Sequence, residues 1–291
     1  MNSTFRIALP HPVYQAGLVL LLLHNALPGV AQDAAKDTRE QLTVALSDPG
    51  KPGSLEVQLV NGFVHVSGYS GKSVVIDAVA RPRPDSESRE ERLTKATPPG
   101  MKRLSSPNGL NMSAEEKNNA VKISTDSYLR PIDLTIKVPL NFSLKLGTIK
   151  DGDILVENVR GELEVSNVGG AIRLSQVAGS AVANTVNGNL TVTFRSVTPG
   201  IPMAFSTLGG KLDVTFPPAT KATLKLKSDL GQVYSDFEVA VDKSPAKATQ
   251  TTQNGLYRLS TDDWTYGSLN GGGAQVRMQS MNGDIFLRKA K

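Results

Sequence analysis

Two close acidic pairs, Asp151/Asp153 and Asp262/Asp263, have the spacing nearest to acid–base chemistry in this sequence. Cleaving a polysaccharide would take paired carboxylates, or a carboxylate with an Arg or Lys base, converging on one face. Both pairs stand at expected turns, where an aspartate side chain bonds its own backbone. They read as turn residues before they read as catalysts, and no catalytic residue is assigned. A carbohydrate-active enzyme of the parallel β-helix type stays as an alternative.

Histidine chemistry is thin. The chain has three histidines, and His11 and His24 fall in a leader segment, leaving His65. A zinc site usually takes two or three such ligands, so no metal site is expected. A nucleophilic triad would rest on His65 alone, and no G-x-S-x-G elbow accompanies any serine. There is no cysteine, which removes disulfides, thiolate metal sites and thiol catalysis together. No cofactor is expected.

Binding chemistry has better candidates. Trp264, the single tryptophan, stands beside Tyr266 and could stack on a sugar or peptide, or could cover the end of a core. The strand "KATLKLKS" places Lys221, Lys225 and Lys227 opposite Ala222, Leu224 and Leu226. With Arg288, Lys289 and Lys291 these lysines could meet acidic envelope polymers or lipid headgroups. Lysines on exposed strands also block edge-to-edge aggregation, which is the competing explanation. The formal charge of +5 falls to about +4 without Arg6, a mild bias. No basic run is interleaved with aromatics, so nucleic acid is not an expected partner.

The elements that must position these residues follow a glycine beat. Gly152, Gly161, Gly170, Gly179 and Gly188 recur every nine residues. Apolar residues stand two positions on (Ile154, Leu163, Ile172, Ala181, Leu190) and four positions on (Val156, Val165, Leu174, Ala183, Val192). Val159, Val168, Val177 and Val186 stand seven on, until Arg195 breaks the series. Alternation marks a short strand with one buried face, and glycine allows the bend between units. One such unit cannot bury its own face, so units must stack. An all-β fold follows: a β-solenoid, or single-stranded β-helix, explains the recurring offsets better than an antiparallel meander. Asn158, Asn167 and Gln176 at the sixth position could form amide ladders or be turn residues. A calcium-binding nine-residue repeat would need a carboxylate at each turn, but the positions after Gly161, Gly170 and Gly179 hold Glu162, Ala171 and Ser180.

Flanking segments alternate too: Leu55, Val57 and Leu59, then Leu134, Ile136 and Val138, then 209–216, 221–228 and 272–289. Residues 1–31 read as a signal peptide: Arg6, the apolar run from Ala16 to Leu23, and small residues before cleavage after Ala31. The apolar run stops short of the roughly 20 residues of a spanning helix, so no transmembrane span is expected after cleavage. Residues 32–291 then form the solenoid domain. Within it, 81–120 is a polar excursion with a hairpin near Asn108-Gly109, and 241–255 is a shorter one.

The run "IDLTIKVP" with "GDILVENVRGELEVSNVGGAIRLSQVAGSAVANTVNGNLTVTF", and the ending "GSLNGGGAQVRMQSMNGDIFLRK", resemble the bacterial putative-adhesin family. Its members are also described as toast-rack-like β-solenoids. The resemblance covers most of residues 41–291. It implies an exported, non-enzymatic module of the periplasm or cell surface, used for binding, adhesion or scaffolding. The expected partner is an envelope polymer or another envelope protein, with peripheral membrane contact possible. Some relatives sit near envelope-stress systems, which makes stress sensing through a protein partner the second alternative. The family has no established catalytic residues to carry over. Relatives near stress systems often carry a transmembrane segment or signalling domain, and this chain shows neither, which argues against direct signalling.

Overall fold

Alternation dictates the local structure. In "RGELEVSN" Leu163 and Val165 are buried while Glu162 and Glu164 are exposed, the period of a strand with one wet face. The computed structural model describes residues 38–81, 112–125, 130–242, 248–253, 256–261 and 263–291. Among these residues there is no helix, and the fold is all-β.

Strands are numbered in chain order. Hydrogen bonds join 20 of them into one sheet that folds into two walls around a common core. The first wall runs β5 (Met112–Lys117), β6 (Ala120–Thr125), β2 (Gly53–Asn61), β8 (Phe142–Lys150) and β10 (Arg160–Asn167). It continues through the second half of β11 (Ile172–Thr185) to β13 (Met203–Thr207), β21 (Ala274–Ser280), β15 (Ala222–Ser228), β20 (Thr265–Leu269) and β17 (Ala240–Val241). The second wall runs β1 (Thr38–Ala45), β4 (Ser73–Ala80), β7 (Ile132–Pro139), β3 (Val64–Tyr69) and β9 (Ile154–Glu157). The first half of β11 carries it to β12 (Leu190–Val197), β14 (Leu212–Phe216), β22 (Ile285–Lys289) and β16 (Val233–Ser235). A separate antiparallel pair is β18 (Ala248–Gln253) with β19 (Leu256–Thr261). β11 belongs to both walls, and Gln176, at φ 53°, sits in the bulge where it crosses.

The central strands pair in parallel, and their register corrects the expectation that successive nine-residue units stack. Gly161 lies beside Gly179, and Ile172 lies between Ile154 and Leu190. Stacked residues are 18 apart in the central strands (179 − 161), and 22 apart in the next circuit (212 − 190). Two nine-residue units therefore complete one circuit, one unit per wall. Units adjacent in sequence do not stack on each other. The valines seven positions after glycine show the consequence: Val159 and Val177 are fully buried, whereas Val168 and Val186 are 43% and 37% exposed.

The repeat glycines fall into two columns. Gly62, Gly152, Gly170, Gly188, Gly210, Gly283 and Gly231 stack in one, and a Cβ on any of the last six would collide with the carbonyl of its neighbour in the column. Gly161 and Gly179 form the other. Close approach of backbones, rather than a freely turning bend, is what excludes larger residues; Gly179 alone of the five repeat glycines also has positive φ, at 120°.

The ends of the stack are not wound in sequence order. β2 and β3 insert between the β6–β7 layer and the β8–β9 layer, and β21 and β22 insert between β13–β14 and β15–β16. The core is mostly aliphatic, with Phe194 and Phe216 of the second wall stacked at 5.2 Å and Phe205 of the first meeting them at 6.2 and 6.4 Å.

The two expected excursions differ from the main sheet in different ways. Residues 112–120 belong to β5 and the start of β6, joined by a tight turn with Asn118 and Asn119 at φ 53° and 62°. Polar strands such as "MSAEEK" give no apolar signal, because pairing at a sheet edge needs no second buried face. Residues 82–111, with the hairpin expected at Asn108-Gly109, lie outside the described residues, as do 1–37 and the proposed signal peptide. Within 241–255, β18 pairs with β19 in a hairpin.

Candidate functional site

β15 is bonded on both sides, to β20 and to β21, so its lysines do not guard an edge. The register sets Lys225 opposite Tyr266 on one neighbour and Arg277 on the other, with side chains on the same outward face. Trp264 stands beside this row. The Lys225 ammonium lies 4.6 Å from its ring centre and 5.5 Å from that of Tyr266, and the Arg277 guanidinium lies 4.8 Å from the Trp264 ring. Cation–π attraction thus holds two cations on a fixed platform. Arg277 also donates from Nη2 to Oε1 of Gln279 at 2.7 Å.

Of the five residues singled out for binding, Lys225, Trp264 and Tyr266 come together. Lys227 is held by Asp229 at 2.9 Å. Lys221 is exposed at the opposite end of β15, beside Arg195, on an apolar notch of about 670 Å³. Sequence reading missed Arg277: it lies 52 residues from Lys225, and only the register joins them. Arg288 and Lys289 sit on the other wall, where Arg288 donates to Asp213 at 2.8 Å.

Continuing the Lys225 row along the first wall gives Ala204, Val182, Glu164, Lys145, Glu56, Lys122 and Glu115. Charges alternate in the distal half, with Lys145 bridged to Glu164 at 3.3 Å and Lys122 to Glu56 at 3.8 Å. This half forms the floor of a shallow groove of about 800 Å³. From Val182 to Tyr266 the row carries no acid; Asp242, whose amide donates to the Tyr266 carbonyl, is the first beyond it. The row is therefore self-neutralised at one end and carries Arg277 and Lys225 without an acid at the other.

The first acidic pair, Asp151 and Asp153, takes structural positions. Oδ1 of Asp153 accepts the Ala171 amide, one layer up, at 2.8 Å, and Asp151 occupies the left-handed region at φ 29°. Asn189 and Asp284 accept amides of Lys211 and Gln232 in the same manner. Asp262 lies outside the described residues. His65 makes a 2.9 Å contact with Glu157 on the outer face of the second wall. Among the described residues no group of three or more His, Asp or Glu is placed to hold a metal ion.

The amide positions of the repeat also divide. Asn158 and Gln176 take positive φ, at 56° and 53°. Asn167 is buried in a column with Thr148, Thr185, Thr207, Ser280 and Ser228. These side chains do not bond one another. They donate to glycine carbonyls: Asn167 to Gly152, Thr185 to Gly170, Thr207 to Gly188, Ser280 to Gly210 and Ser228 to Gly283, at 2.7 to 3.2 Å. A four-residue signature records the column in sequence, in "NVGG" (167–170), "TVNG" (185–188), "TLGG" (207–210) and "SMNG" (280–283).

No family model matches the chain, and no curated protein does. Three solved structures are similar to it. One is a "putative cell adhesion protein" from Clostridium sporogenes, at 12% identity over 88% of this chain and 100% of that one, with a TM-score of 0.47. Another is a "putative adhesin" from Bacteroides fragilis, at 10% identity over 88% and 98%, with a TM-score of 0.31. A "putative adhesin" from Parabacteroides distasonis has 11% identity over 88% and 97%, and a TM-score of 0.23. The neighbours are adhesion proteins by name. No helix among the described residues is long and apolar enough to cross a membrane.

Proposed function

We propose that the protein is an exported, non-enzymatic β-solenoid with about 18 residues per circuit, working as a binding module of the cell envelope or surface. Its ligand is an anionic envelope polymer, held on the outward row Arg277–Lys225–Tyr266 beside Trp264. The observation that carries this reading is the register that sets Lys225 of the interior strand β15 between Arg277 and Tyr266, with the Trp264 ring against both cations and no acid in that part of the row. A carboxylated polymer repeats its charge at regular intervals, and a rigid sheet holds cations without further ordering cost. The rings limit the cations' motion and offer apolar edges to a sugar backbone.

The test is calorimetric titration of the protein with polygalacturonate, and with neutral dextran as control, at low and high salt. Polygalacturonate should bind and dextran should not. Lys225→Ala with Arg277→Ala should weaken binding at least tenfold and flatten its salt dependence, as removing ion contacts does. Equal binding of dextran, or unchanged affinity in the double variant, would overturn the reading.

A further inference from the structure

Two departures from the 18-residue circuit meet at one corner of the stack, where the chain passes from the second wall back to the first. Within β11 this passage takes 10 residues (182 − 172), but in the next layer it takes 14 (204 − 190). The longer connection carries the turn Pro199-Gly200, with Gly200 at φ 80°. One layer further, residues 217–221 must step past the inserted β21–β22 layer to reach β15. Asn270, at φ 48°, fixes that step: its Nδ2 donates to the carbonyls of Pro218 at 3.0 Å and Thr220 at 2.8 Å. Between the long connection, the step and the start of β21 lies the notch of about 670 Å³.

The lining selects the occupant. Val197, Pro199, Ile201, Met203, Pro217 and Ala274 make it apolar, and no lining residue is acidic. Arg195 and Lys221 supply two positive charges. Arg195 donates from Nη1 to the neutral Oδ1 of Asn158 at 3.0 Å, and among the described residues neither cation is paired with an acid. Apolar walls with a few placed charges, at a volume within the usual range of about 300–1,000 Å³, describe a small-ligand pocket. A peptide would find little backbone to pair with. β12, β13, β15 and β21 are each bonded on both sides, and Pro199 and Pro217 have no amide N–H. A hydrocarbon chain needs no such partners, and a carboxylate at its end satisfies the cations, Arg195 through its guanidinium fork.

We propose that this notch binds a free single-chain carboxylate, with its aliphatic tail against Ile201, Met203 and Pro217 and its head at Arg195 and Lys221. The site is separate from the polymer row, since none of Arg277, Lys225, Tyr266 and Trp264 lines it.

Calorimetric titration of the full chain with octanoate, 1-octanol and acetate tests this directly. Octanoate should bind one per chain, 1-octanol at least tenfold more weakly, and acetate not at all. Arg195→Gln with Lys221→Gln should bring octanoate down to the level of 1-octanol. Ala219→Trp, at the rim, should abolish binding of both. All three positions are exposed, so each variant should keep the wild-type melting transition. Lys225→Ala with Arg277→Ala should take up octanoate as wild type does, whatever polygalacturonate does. No octanoate binding by wild type, octanoate held no tighter than 1-octanol or acetate, or undiminished binding in either notch variant would each overturn the proposal. Flotation of wild type with phosphatidylglycerol vesicles, abolished by Ala219→Trp, would also overturn it and give the notch to membrane lipid.

Discussion

The Asn167 side-chain amide donates to the carbonyl of Gly152 at 2.8 Å, from a strand on one wall to the corner that begins the other. Asn167 is 1% exposed, and its Oδ1 accepts the Gly169 amide at 3.1 Å. With a further donation to the Ala171 carbonyl at 3.3 Å, one side chain bonds three backbone groups of the corner. Asn167→Ala should cost about 1–3 kcal/mol, because buried polar groups lose their bonds rather than exchange them for water. Chemical denaturation would measure it. Asn167→Thr, the residue used at positions 185 and 207, should recover much of the loss.

The two-wall circuit makes a discriminating pair. Val177→Asp places a charge in the core and should abolish the cooperative melt, since an unpaired buried charge costs several kcal/mol. Val168→Asp, at the same offset from its glycine, should melt within a few degrees of wild type. Equal damage from both would mean that the circuit is nine residues rather than 18.

Gly188→Ala should destabilise by about 2–3 kcal/mol or more, because the new methyl meets the Gly170 carbonyl and backbone must move. Gly188 has no positive φ, so the loss would reflect layer contact alone. Melting temperature is a sufficient readout.

Removing residues 274–291 deletes β21 and β22, which form an internal layer rather than an end. Their buried Val276, Met278, Ile285 and Leu287 separate β13–β14 from β15–β16. The truncated chain should lose its cooperative transition and become protease-sensitive well upstream of the cut. A clean native-like melt would contradict the inserted-layer topology.

Glu116 ties the segment after β1 to the β5–β6 turn. It accepts the Ser47 amide and hydroxyl and the Asn119 amide, and these bonds, led by the Ser47 amide, hold its carboxyl below the ordinary value of 4.5. A depressed folded value adds stability that is complete above the unfolded value and is lost as pH falls through the folded one. Wild type should therefore melt above Glu116→Gln at neutral pH, and the gap should close in acid below the ordinary carboxylate range. A pH-independent gap would assign the effect to packing.

Much of this was legible in one dimension. Alternation placed Leu163, Val165, Ile172 and Leu174 inside, and they are buried, because strand side chains alternate whatever the topology. Asp153 shows the limit of that local reading: its carboxylate accepts the amide of Ala171, 18 residues on in the next layer, rather than one of its own turn. The beat of nine could not reveal that successive units lie on opposite walls. Both walls share the inward positions, and they differ only at the corner, where Val177 turns in and Val168 turns out. That difference depends on which corner each unit meets, a property of the closed circuit. The row of Arg277, Lys225 and Tyr266 was beyond the sequence altogether. It exists because β21 inserts between β13 and β15, and that insertion is decided by which layers can bury one another's apolar faces. The sequence by itself determined the apolar strands of the core, their buried faces and the sites where glycine must stand. Only the tertiary structure decided which residues meet on the surface, because side chains brought together by register share no sequence neighbourhood.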